Sequence, residues 1–422
     1  MDPAINHYRM DQRERHDSDP GGRRSMSENG ILSRLLTIGS LSVILLGAVP
    51  TVSAHGGAYA PNIPHGYGLV ILGGGLAVLG GSVVGKRTDH LRPTTALHGV
   101  FVGLVLIAIG AIGFNSLAPE TTYTAQSMPF PRAWYQPIAL FVGGIIMIGS
   151  VIGGRLRWPT RPRYTLLGLE LGLWVAYPAL LSGSGAATHP LGYALVGSVP
   201  LTVGYILWTD CRTTIRTCLQ DHTARRFGAG IAVVVAFFFM FAAGFMSFIS
   251  EEGVGVVGVP DTATITVMPT SFPLVTWPTL EWWFPTIPFV GMLSIGVIIV
   301  VGMIGGLVGL NAAIAARLWT AGETMDTNQG AAGTAAFVGT SACSCCGPIV
   351  AQFIILALGP SAAAPLYWLF VDTASPAGAL LLVTSIALLT ASLLHAVNVM
   401  GETPACTREE SPSAAGVQAD QL

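Results

Sequence analysis

Charge is what this chain of 422 residues has least of: 10% of its side chains are charged, against 51% that are hydrophobic. A soluble domain carries about 25% charged residues, so a water-soluble globule is excluded, and disorder, collagen and coiled coil fall with it. The 20 Lys and Arg against 22 Asp and Glu leave a formal net charge of -2. No basic excess is on offer to nucleic acid, which is excluded as a partner. Six cysteines, three of them clustered, are too few for a disulfide-rich secreted scaffold. The motifs of a phosphate-cradling glycine loop, a nucleophile elbow and a metalloprotease helix are missing, which leaves nucleotide-driven transport and common hydrolase chemistry without support.

What is present is a series of apolar runs of bilayer length. The first 30 residues are polar and charged, and read as a disordered leader or an over-long start with Met26 as initiator. Residues 31–54 place Arg34 ahead of an apolar stretch that ends in Pro50, Ser53 and Ala54. That is the pattern of a signal peptide cut between Ala54 and His55, with an uncleaved anchor helix as the alternative. Nine apolar segments follow, at 67–85, 94–114, 136–154, 164–182, 190–208, 228–249, 286–309, 331–359 and 376–397. Residues 55–398 are thus expected to form an all-α integral membrane protein, a polytopic bundle of about nine transmembrane helices. Residues 399–422 are expected to be a disordered cytoplasmic tail.

The basic residues set the expected orientation, since Lys and Arg collect in cytoplasmic loops. With the mature N-terminus outside and the C-terminus inside, the inner segments hold Lys86, Arg87, Arg92, Arg155, Arg157, Arg161, Arg163, Arg212, Arg216, Arg225, Arg226, Arg317 and Arg408, and the outer ones only Arg132. This predicts a multi-pass protein of the cytoplasmic membrane. The outer stretch from Glu251 to Pro288 is acidic and proline-rich, and its Trp277, Trp282 and Trp283 suit an interfacial belt.

An internal similarity suggests tandem hairpins in parallel orientation. Gly81-Ser-Val-Val-Gly85 matches Gly149-Ser-Val-Ile-Gly153, Arg92-Pro93 matches Arg161-Pro162, and Gly103 matches Gly172, at an offset of 68 to 69 residues. The copies are 65–114 and 136–182, with a third, weaker one over 189–249. Glycine pairs inside the spans suit close helix packing in lipid.

The sharpest chemical signal is Cys343-Ser-Cys345-Cys346-Gly347-Pro348 within the eighth apolar segment. Three sulfurs in four positions are soft ligands, suited to low-coordinate Cu(I) more than to tetrahedral zinc. The proline deprives the helix of an amide donor, and broken helices at mid-membrane are where transporters place ion sites. Core packing of small side chains and a dithiol redox pair are the alternatives. Cleavage after Ala54 would leave His55 with a free amine beside its imidazole, an arrangement that resembles the histidine brace of the copper monooxygenases. His65 and His189 lie on the same outer side, and the three are candidate metal ligands at the outer mouth or else solvated loop residues. Within the membrane, His98 and Glu170 are candidates for an ion or proton pathway, facing each other across the duplicated hairpins, or for a buried pair that fixes packing. Asp372 and His395 read as interfacial. Cys211, Cys218 and His222 read as a solvated basic loop, since six residues between the cysteines matches no zinc spacing.

The expected function is handling or transport of a soft metal ion, copper first, through the Cys343, Cys345 and Cys346 site. Alternatives are thiosulfate or persulfide sulfur transport, a thiol-redox or copper-dependent membrane oxidoreductase subunit, and a structural subunit of a membrane complex. The expected partners are a metal ion or a small sulfur-containing anion, the lipid bilayer, and further copies of the chain or other membrane subunits. Enzymatic activity is the weaker expectation.

Overall fold

The computed structural model describes residues 66–116, 131–181, 186–248, 262–284, 289–320 and 375–402. The leader, the signal-peptide segment, His55, His65, the apolar segment 331–359 with its three cysteines, and the tail beyond residue 402 lie outside the described residues.

The described chain is mostly helical: α1 (Gly66–Arg87), α2 (Pro93–Ser116), α3 (Tyr135–Arg157), α4 (Pro162–Leu180), α5 (Pro190–Asp210), the short α6 (Arg212–Gln220), α7 (His222–Ala242), α8 (Ile295–Thr320) and α9 (Pro376–Glu402). Seven of these are long and apolar enough to cross a membrane, namely α1, α2, α3, α5, α7, α8 and α9. Without water, a spanning backbone must satisfy its own polar groups, and the helix does so within one segment. The starts are written locally. Prolines open α2, α4, α5 and α9, where the missing amide hydrogen costs nothing and the fixed φ suits the first turn. The Asp221 carboxylate caps α7 by accepting from the amides of Thr223 at 2.8 Å and Ala224 at 3.4 Å.

α4, with Arg163 and Glu170 in its 19 residues, is less apolar. It nevertheless lies antiparallel along α3, from the Ser150 hydroxyl bonding Thr165 O at one end to the Gln136 amide bonding Ala179 O at the other. It therefore covers the same height as its neighbour.

Two hairpins, α1–α2 and α3–α4, cross at matching glycines. A Cβ on Gly75 would lie 2.8 Å from Gly103 O and one on Gly143 would lie 2.6 Å from Gly172 O, with Gly103 and Gly172 in the reciprocal position. Lower in each hairpin, Gly99 lies under the Ser82 hydroxyl and Gly168 under that of Ser150. A third pair, α7–α8, meets through Gly228 and Gly309. α8 is the partner of α7, so the segment 189–249 is not one packed hairpin: α5 packs on α4 and α7 on α8. Lipid tails are as apolar as leucine, so helices associate through close contact and dispersion, which these glycines permit.

Among the described residues, the basic side chains other than Arg132 gather at one end. The Lys86 amine stands 5.2 Å from the centre of the Trp319 ring, joining the ends of α1 and α8, and Arg163 pairs with Asp210 across the ends of α4 and α5. The opposite end carries a four-stranded antiparallel sheet, β1 (Met246–Phe248), β2 (Thr264–Ser271), β3 (Thr276–Phe284) and β4 (Phe289–Ser294), in the order β1-β4-β3-β2. The proline-rich stretch expected as a loop thus contains paired strands, and the apolar segment expected over 286–309 is split into β4 and the start of α8 at Ile295. The tryptophans build the sheet. Trp282 covers Gly291 of the neighbouring strand, Trp283 is buried, and Trp277 meets Tyr193 of α5 edge-on at 4.9 Å. The core joins α4, α5, α8 and α9 through side chains such as Tyr177, Val199, Ile304 and Leu389.

Candidate functional site

The polar chemistry inside the described bundle concentrates between α4 and α5. Residues 163, 166 and 170 share one face of α4, and residues 202 and 205 share one face of α5. The Thr202 hydroxyl donates to Glu170 Oε1 at 3.0 Å. Glu170 Oε2 is buried and has no hydrogen-bond partner among the described residues. An ionised oxygen in that position is costly, so a carboxyl group retained there is a functional candidate.

Toward the arginine end the same two helices are tied by a charged cluster. Arg163 grips Asp210 with two nitrogens, Nε to Oδ2 at 2.8 Å and Nη2 to Oδ1. The Tyr164 hydroxyl donates to Asp210 Oδ2 at 3.0 Å and accepts from Arg161 Nη1 at 3.1 Å. The two-point geometry fixes the relative height of α4 and α5, and with it the pairing of Glu170 with Thr202. Between the cluster and Glu170 lies an open groove of about 440 Å³, lined by Pro162, Arg163, Leu166, Leu201, Thr202 and Tyr205.

His98 stands elsewhere. It is exposed near the start of α2, its Nδ1–H donating to Thr94 O at 2.7 Å. α2 packs on α1 and α7, whereas α4 packs on α3, α5 and α9, so His98 is not the partner that Glu170 was expected to face. The 69-residue offset that aligns Gly99 with Gly168 brings His98 onto Leu167, and His98 and Glu170 lie at different helix interfaces. His189 is the N-cap of α5, its Nδ1 accepting from the Leu191 amide at 3.2 Å. That nitrogen is engaged in holding the helix start, at the end away from the arginines.

The stretch from Cys211 to His222 is not a solvated loop. It forms α6, with Cys211 and Cys218 both buried as free thiols, and Arg317 of α8 donates to Cys218 Sγ at 3.9 Å. Burial pushes the Cys211 thiol up to about 11, with the Asp210 carboxylate adding to the shift. Cys218 is also pushed up by burial, against the pull of the Arg317 guanidinium. High thiol values disfavour the thiolate that a metal or a redox partner needs. Among the described residues, no three His, Cys, Asp or Glu side chains come together as a metal site.

Thr202 and the Arg163–Asp210 pair were not singled out from sequence. The available signal was Asp210 at the end of an apolar segment and Arg163 at the start of another, but nothing local says that the two segments are neighbours. No family model, no curated protein and no solved structure matches the chain.

Proposed function

We propose that this multi-pass membrane protein handles or transports a soft metal ion, with copper as cargo. The observation that carries the reading is the run Cys343, Cys345, Cys346 in an apolar segment next to Gly347-Pro348. Thiolates select Cu(I) over hard cations, and three without a fourth suit its low coordination number. In this reading the arginine end faces the cytoplasm, a signal peptide places His55 and His65 outside with His189, and these imidazoles serve uptake or release. Glu170, held by Thr202 on the face of a spanning helix, serves the inner exit or a coupled proton, with exposed His98 at the same end. The matching glycine crossings of α1–α2 and α3–α4 support a duplicated hairpin as the building unit.

The test is metal content of the detergent-purified protein, kept reduced and loaded with Cu(I), beside a Cys343→Ser, Cys345→Ser, Cys346→Ser variant. About one copper per chain, lost in the variant, is expected. Equal and negligible copper in both overturns the metal reading. Thiosulfate uptake dependent on the same cysteines would then establish the sulfur alternative, in which a thiolate takes the outer sulfur of thiosulfate as a persulfide, the S–S bond breaks and sulfite leaves.

A further inference from the structure

The groove between α4 and α5 has a second property, independent of what the protein carries. On α5, Leu201, Tyr205 and Trp208 follow one another at helical spacing along one face and are 75%, 57% and 59% exposed. Leu166 of α4 forms the facing wall. In a bilayer such a face meets acyl chains.

At the arginine end of this face, the chain turns at Cys211 into α6. Arg212 and Arg216, one helical turn apart, both stand over the Trp208 ring, at 4.4 and 5.8 Å from its centre. Stacking on indole positions a guanidinium while leaving its N–H donors free for an anion. Neither arginine has a carboxylate partner among the described residues. Asp210, the nearest acid in sequence to Arg212, is engaged by Arg163 and Tyr164, and Asp221, the nearest to Arg216, caps α7. Two cations without counter-charges among the described residues therefore sit at the mouth of an apolar groove. A soluble phosphate would leave the groove unfilled, and a zwitterionic lipid would leave the charge uncompensated.

We propose that this groove, with its Trp208, Arg212 and Arg216 rim, is a binding site for an anionic phospholipid. The phosphate lies on the two guanidiniums and one acyl chain runs along Leu201, Tyr205 and Leu166. Arginine is suited to the role because its planar fork takes a phosphate through two parallel hydrogen bonds.

The test is lipid preference, measured by native mass spectrometry of the full chain released from nanodiscs of phosphatidylcholine alone or with one third phosphatidylglycerol. The wild type is expected to retain phosphatidylglycerol over phosphatidylcholine. The R212Q/R216Q variant is expected to lose on the order of ten- to thirty-fold of that preference, taking about five-fold per arginine. An R225Q/R226Q variant, which removes two exposed cations from α7, is expected to keep it, as is R212K/R216K in part. Melting in pure phosphatidylcholine checks that each variant is folded. No preference in the wild type overturns the proposal, as does an equal loss in R225Q/R226Q, which would reduce the effect to general surface charge. Displacement of the lipid by millimolar glycerol phosphate would overturn the role of the groove.

Discussion

Thr202 on α5 donates a hydrogen bond to one oxygen of Glu170 on α4 at 3.0 Å, while the other oxygen is buried without a partner among the described residues. The pairing is asymmetric, and the two side chains should respond differently to replacement. Thr202→Val leaves both carboxylate oxygens without a donor and is expected to cost about 1–3 kcal/mol. Glu170→Met removes the buried acid together with its unmet need, and is expected to be neutral or stabilising. Thermal unfolding in detergent distinguishes them. A Glu170→Met variant that melts well below the wild type would show that the carboxyl is structural.

The glycine crossings predict a contrast between adjacent residues. Gly143 faces Gly172, and a Cβ there would lie 2.6 Å from a backbone oxygen and 2.8 Å from the Ala176 Cβ, so Gly143→Ala must push the helices apart. The expected cost is about 1–3 kcal/mol, the range for overpacking a close contact. Gly144 has nothing within 4 Å of such a Cβ, and Gly144→Ala is expected to be neutral or to gain up to about 1 kcal/mol from helix propensity. Chemical unfolding of the two variants side by side measures the difference.

Alkaline pH should weaken the fold through Cys211. Its thiol is raised by burial, from about 9 to about 11, so the folded state holds the proton more tightly than the unfolded one. That stabilisation is complete below about pH 9 and is lost as the pH rises through about 11. Cys211→Ala is expected to flatten this part of the profile of melting temperature against pH. A profile identical in wild type and variant would count against the burial argument.

Asn311 ties α8 to α9. Its Nδ2 donates to Leu307 O at 2.8 Å in its own helix and to Leu389 O at 3.2 Å in the neighbour. Asn311→Ala removes both bonds, and interhelical hydrogen bonds in membranes contribute about 0.6–2 kcal/mol. A loss of about 1 kcal/mol is expected, together with faster amide exchange in the middle of α9.

Much of this architecture is written locally. Few charges and long apolar runs determine a membrane-spanning helical protein, because the bilayer leaves the backbone few other ways to satisfy its polar groups. Prolines mark four helix starts, and the clustering of Arg and Lys in alternate connections foretells that they share one end. Glycines inside apolar runs were legible as residues suited to close packing in lipid, and the structure places Gly75 against Gly103 and Gly143 against Gly172. The tertiary structure decided what depends on partners distant in the chain. The strands hidden in the proline-rich stretch become visible only through pairing, since β2 and β3 satisfy each other across a turn and β4 joins from beyond it. Cys211 and Cys218 looked like loop residues because their burial comes from neighbouring helices. Glu170 was legible as a costly residue in lipid, but its partner was not. A carboxyl group names the need for a donor, and only the packing of α4 against α5 decided that the donor is Thr202 and not His98.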